Sequence, residues 1–139
     1  MKKSLVVSFV VASTFSIAAH AATPTKADPV KACFDRAQDQ EQQARCYDAA
    51  VTLQKKRLNA AYNKLVAHRK AANDSAGIAA LNQMQKDWIK SRDGTVNYLN
   101  DHVTGSASAV FAVSNDFMLD ALTKQADLLE TMNDMEGGE

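Results

Sequence analysis

The chain has 139 residues, 46% of them hydrophobic and 23% charged, and its 16 lysines and arginines match its 16 aspartates and glutamates. That size supports one compact domain with a modest core and excludes two. No G-x-S-x-G elbow, phosphate-cradling glycine loop or C-x-x-C pair occurs, so acyl-hydrolase, phosphate-binding and cysteine-metal chemistry lack their usual residues.

The first element reads as an address. Lys2 and Lys3 precede an apolar run from Leu5 to Ala19 that closes on Ala19-His20-Ala21. The run is too short to span a bilayer and ends on a small-x-small pattern, so residues 1–21 are expected to be a signal peptide cleaved before Ala22. The first cysteine, Cys33, comes 12 residues after Ala21, too far along for a lipid anchor. The product is expected to be periplasmic or secreted. Residues 22–30 read as a flexible leader, 31–133 as a helical domain and 134–139 as a disordered tail. Removing 21 residues from 139 leaves 118, with an uneven charge: residues 22–93 hold 13 basic and 8 acidic side chains, net +5, while 94–139 hold 1 and 8, net −7. A negative face of that size repels nucleic acid and anionic lipid and steers basic proteins inward.

Cys33 and Cys46 are the only cysteines, and an oxidising compartment favours pairing them. A catalytic or metal-binding role is disfavoured, because no histidine lies nearby in sequence. On one straight helix their 13-residue separation spans about 20 Å, beyond disulfide reach, so the chain must bend between them. Asp39 followed by Gln42 resembles a capping box. The expectation is a short helix over 31–37, a break near Gln38, and a long helix from Gln40 to about Ala72.

That long helix carries Tyr47, Val51, Gln54, Leu58, Ala61 and Leu65 at alternating steps of four and three, with Leu53 and Tyr62 widening the stripe. Asn73-Asp74-Ser75 then gives a turn with a ready N-cap. The next stripe is Ile78, Leu81, Gln85, Trp88, Arg92, Val96 and Leu99, ending before Thr104-Gly105-Ser106. The last helix is expected to turn Val110, Val113, Phe117, Ala121, Leu128 and Met132 inward and to fray at Glu136. No proline follows Pro29, and no strand-like alternation appears. The predicted fold is all-α, an antiparallel up-down bundle of three long helices plus a short N-terminal one.

Two fragments of these helices are distinctive: Leu58-Asn59-Ala60-Ala61-Tyr62, and the run Leu81, Gln85, Trp88, Arg92, Asp93. With the two cysteines, their order and spacing resemble the lysozyme inhibitor LprI-like family of small secreted helical proteins, over roughly residues 33–129. The resemblance implies cysteines opening the first two helices, which Cys33 and Cys46 match. It also implies a second bridge, whose places Val96 and Met118 take here; two apolar residues replace that bridge without stranding a thiol. Lys55 stands where the family often has aspartate.

Physically, Asn59, Tyr62, Gln85, Trp88 and Arg92 lie on or beside apolar stripes, and buried polar groups require partners. They are expected to hydrogen-bond across helices and fix register. The rival reading makes Trp88, Arg92 and Asp93 a recognition patch, with Gly94 allowing a close approach. Asp116 and Asp120 stand four apart on one helix, but both fall on the expected solvent side and nothing marks a glycosidase cleft. His68 and His102 are isolated, so no metal and no cofactor is expected. The resemblance implies a non-enzymatic protein that occludes a basic lysozyme and protects peptidoglycan. The expected contacts are the loop 100–108 or the helix around 116–130, with Asp101, Asp116, Asp120, Asp127 and Glu130 as candidate partner-binding residues. The alternative is a periplasmic interaction module without lysozyme activity, an immunity protein against a wall-degrading toxin or an envelope-stress factor.

Overall fold

Each helix of the protein begins where an Asp or Ser side chain accepts a backbone amide that the first turn leaves unpaired. The computed structural model describes residues 28–137. Asp28 accepts from the Val30 amide at 2.9 Å and opens α1, Pro29–Phe34. Asp39 accepts from the Gln42 amide at 2.7 Å and opens α2, Gln40–Ala71. Asp74 accepts from the Gly77 amide at 2.8 Å and opens α3, Ser75–His102. Ser106 accepts from the Ala109 amide at 3.2 Å and opens α4, Ala107–Glu136. No strand occurs among the described residues, and the fold is an all-α bundle. The expected signal peptide, residues 22–27 of the leader and residues 138–139 of the tail lie outside the described residues.

The boundaries depart from expectation where local hydrogen bonds decide them. α1 starts two residues before Lys31, because Asp28 caps it and Pro29 occupies the first turn, where no amide is needed. It ends at Phe34, since the Arg36 and Ala37 amides turn back onto Cys33 and Phe34 carbonyls. The capping box at α2 is modified: Gln42 Oε1 accepts from the Gln38 amide at 3.1 Å, one residue earlier than in the standard motif. α2 ends at Ala71, and Asn73 just beyond its cap takes a left-handed φ of 54°, a conformation that asparagine tolerates better than most residues. His68, Arg69 and Lys70 in its last turn suit the negative end of the helix dipole. α4 continues to Glu136, through the first three positions of the expected tail.

Contacts give the topology. Tyr47 meets Phe111, Arg57 meets Asp127, and Asn133 meets Ala61, so residue numbers on α2 and α4 rise together and the two helices run parallel. Tyr62 meets Asn82, and Ser114 meets Asn100; α3 therefore runs antiparallel to both. This is the up-down order that short connections dictate. The most extensive packing joins α2 to α4. Small buried residues on both sides, Ala50 and Ala61 on α2 and Ser114 and Ala126 on α4, let those axes come close.

The core is thin and runs along the bundle. Leu65, Leu122 and Leu129 are each at most 1% exposed, and Ala61, Leu65, Leu81 and Leu129 form one cluster with Leu58, Tyr62, Val66, Met84 and Met132 packed around it. The stripes of α2 and α3 fall largely as the spacing predicts, apart from Leu53, which is exposed. The α4 stripe is a correction. Val113 is 52% exposed and Leu128 47%, while Ser114, Leu122, Gln125, Ala126, Leu129 and Asn133 are buried. The close approach of α2 selects small and hydrogen-bonding side chains, so counting large apolar residues alone rotates the inferred face by about one position. Asn133 illustrates this, since its amide nitrogen donates at 2.9 Å to the carbonyls of both Ala61 and Leu129.

Candidate functional site

The end of the bundle that holds α1 also holds the connection between α3 and α4. Cys33 and Cys46 form a disulfide with Cα atoms 5.7 Å apart, which the bend at residues 35–39 makes possible. The bridge lays Phe34 edge-on against Tyr47, with ring centroids 4.7 Å apart, and Tyr47 in turn meets Phe111 of α4 at 5.9 Å. The Tyr47 hydroxyl donates to Asp116 at 2.5 Å. Burial first, and then the Asp116 carboxylate, push the Tyr47 phenol up to about 12. Above this brace every residue from 100 to 109 is exposed. From 104 to 109 those residues are Thr, Gly, Ser and Ala, so the protruding tip is narrow, and Asp101 is the one acid on it.

The acidic face is partly neutralised by α2, whose Arg57 and Arg69 pair with acids of α4. Arg57 reaches Asp127 at 2.7 Å and Glu130 at 2.5 Å; hydrogen bonds to Glu130 and then Asp127 raise its already high pKa, against burial. Arg69 pairs with Glu136, and Lys124 pairs with Asp120 at 2.8 Å. A segment that is −7 in sequence therefore does not present seven uncompensated charges. The parallel packing of the basic helix α2 on α4 is the reason. Among the described residues of that segment, Asp101, Asp116 and Asp134 have no ion-pair partner. Asp116 and Asp120 line neither the α2–α4 groove nor the α2–α3 groove, and nothing places them about a shared substrate position.

The distinctive residues of α2 and α3 meet elsewhere, along the groove between those two helices. Leu58, Asn59 and Tyr62 from α2 face Asn82, Gln85 and Ile89 from α3 across a volume of about 260 Å³. Leu81 is buried beneath, in the core cluster. Tyr62 donates its hydroxyl proton to Asn82 Oδ1. The expected network goes no further: Asn59 is exposed, and Gln85 Nε2 has no hydrogen-bond partner although the residue is only 7% exposed. Arg92 bonds along its own helix, to Asp93 Oδ1 at 2.8 Å through Nε, and lies 4.7 Å from the Trp88 ring centroid. Trp88 is half-buried under that guanidinium. A Cβ added at Gly94 meets nothing within 4 Å, so no neighbouring helix requires a glycine there.

A model of the family described as Lysozyme inhibitor LprI matches residues 33–129. The chain belongs to the lysozyme inhibitor LprI family. No curated protein and no solved structure matches it significantly. The match opens at the disulfide and closes at Leu129 in the core cluster, so it takes in the last two residues of α1, all of α2 and α3, and most of α4. Val96 and Met118, which stand at the places of the second bridge implied by the resemblance, are both half-buried, on α3 and α4.

Several residues that organise the site carry little signal in sequence. Arg57 sits in the run Lys55-Lys56-Arg57, which reads as a solvated basic face, and only the register of α4 singles it out. Asn82 and Asn133 are polar residues inside helices, and mid-helix asparagine next to an apolar stripe was the available clue. Among the described residues no three His, Cys, Asp or Glu side chains gather as a metal site requires, and no helix is long and apolar enough to cross a membrane.

Proposed function

We propose that this protein is an exported, periplasmic inhibitor of lysozyme that acts by stoichiometric occlusion and performs no chemistry itself. Membership of the LprI family carries the reading. The shape of the α3–α4 end supports it: a narrow exposed tip over residues 100–109, carrying Asp101 and braced by α1, is suited to entering a cleft in a basic enzyme. The tip pays little for ordering, because Ser106 caps α4 within it and the Phe34, Tyr47 and Phe111 rings pack edge-on behind it. Of the two contact surfaces anticipated above, the tip is the better supported, since Asp127 and Glu130 already share Arg57.

The test is inhibition of cell-wall lysis by the mature, oxidised chain, against both a chicken-type and a goose-type lysozyme at low salt. Inhibition should saturate at one inhibitor per enzyme and weaken as salt screens the encounter. Replacing Asp101 with lysine should weaken it while leaving the helix content unchanged. Undiminished lysis by both enzyme classes at excess inhibitor would overturn the proposal and favour a periplasmic interaction module with another partner.

A further inference from the structure

The groove between α2 and α3 is open, lies far from the tip, and exposes a chemistry opposite to that of an acidic inhibitor face. We infer that it is a second binding site, for the terminal carboxylate of a short peptide. Its lining is mostly apolar, and its polar side chains include the amides of Asn59, Asn82 and Gln85 and the Lys86 ammonium. Tyr62 occupies Asn82 Oδ1, which leaves the amide nitrogen as the other polar group of Asn82. Gln85 Nε2 finds no acceptor in the protein although its residue is 93% covered. Nothing holds that nitrogen in its present orientation, and the terminal amide torsion of glutamine is broad, so turning it toward a ligand costs no existing bond. Lys86 is the one charged residue along this groove, and the groove's residues, from Leu58 to Ile89, belong to the segment 22–93 that is +5 by sequence.

Donors without acceptors, next to a lysine and within a basic segment, select an anionic acceptor, and a carboxylate takes two such donors at once. Leu58 and a partly exposed Ile89 add an apolar wall, which suits the aliphatic side chain or methyl group beside a peptide's terminal carboxylate. A volume near 260 Å³ holds one or two residues rather than a folded partner. A buried donor with no acceptor is costly in a fold and is retained where a ligand supplies the acceptor.

The experiment is a titration of the oxidised, isotope-labelled protein with N-acetyl-Ala-Ala in its L,L and D,D forms, each as free acid and as C-terminal amide, following the side-chain amide resonances of Gln85 and Asn82. Those resonances should shift saturably with the acids, and the amides should bind about tenfold more weakly. Preference for the D,D acid assigns the ligand to cell-wall stem peptides; preference for the L,L acid assigns it to a protein C-terminus. Gln85→Met keeps the side-chain volume and should weaken binding about tenfold with unchanged helix content. Should that variant not fold, Lys86→Met, on an exposed position, takes its place with the same expectation. Absence of saturable shifts up to about 10 mM ligand, equal binding of acid and amide, or undiminished binding by a folded variant overturns the inference. Lysozyme inhibition is read separately and does not enter this result.

Discussion

Tyr47 concentrates three jobs in one side chain: its ring bridges Phe34 and Phe111, its hydroxyl holds Asp116, and its burial seals the disulfide end. A phenol near 12 in the folded protein and near 10 in the unfolded chain binds more protons when folded between those values. Its stabilising effect is therefore complete below pH 10 and is lost as pH rises toward 12. Absorbance titration should show a tyrosine phase near 12, and Tyr47→Phe should remove that phase and flatten the alkaline loss of stability. At neutral pH the same substitution should cost about 1 kcal/mol, read by denaturant unfolding, because Asp116 is exposed and water replaces the lost donor. Arg57 behaves differently. Its pairs with Asp127 and Glu130 are partly solvent-screened, so Arg57→Ala should change stability by less than about 1 kcal/mol. It also frees two carboxylates. If the α4 face rather than the tip meets lysozyme, the variant should associate faster at low salt; an unchanged association rate places the contact elsewhere.

At the scale of the helix, the inward face of α4 makes the sharpest prediction. Leu129→Ala should cost about 2–5 kcal/mol by opening a cavity in the core cluster, whereas Leu128→Ala, one position along and 47% exposed, should cost less than about 1 kcal/mol. Equal effects would contradict the rotated face. Gly94→Ala should stabilise α3 by about 1 kcal/mol, since its Cβ meets open space. These contrasts show where the sequence was legible. Asp39 and the turn Asn73-Asp74-Ser75 marked helix starts, because a cap acts over three residues and its chemistry is local. Leu81, Gln85 and Trp88 fell on the right side of α3, because that helix meets its neighbours through ordinary side chains at helical spacing. The face of α4 was misread because its packing is set by Ala50 and Ala61 on a distant helix. The pairing of Arg57 with Asp127 and Glu130 depends on parallel alignment and register between segments 70 or more residues apart, which no local pattern encodes. The groove joining Leu58, Asn59 and Tyr62 to Gln85 follows from the same long-range register, although each of its motif residues was conspicuous alone.

The whole molecule is a slender three-helix rod, with α2 about 48 Å long over its 32 residues, and it buries few large side chains for its size. Cross-linking therefore matters more than in a rounder domain. Reduction of Cys33–Cys46 should lower stability by about 3 kcal/mol, seen as an earlier denaturant midpoint in the reduced protein, and should loosen Phe34 from Tyr47 before the α2–α4 contact is disturbed. Both sulfurs lie within the first 46 residues, and the loop between them needs nothing from α3 or α4 to close. In a chain that crosses a membrane amino end first, the thiols emerge together while most of the polypeptide is still behind them. An oxidant on the far side can thus seal the staple on a nascent segment, and the later helices arrive at a platform whose first corner has already been turned.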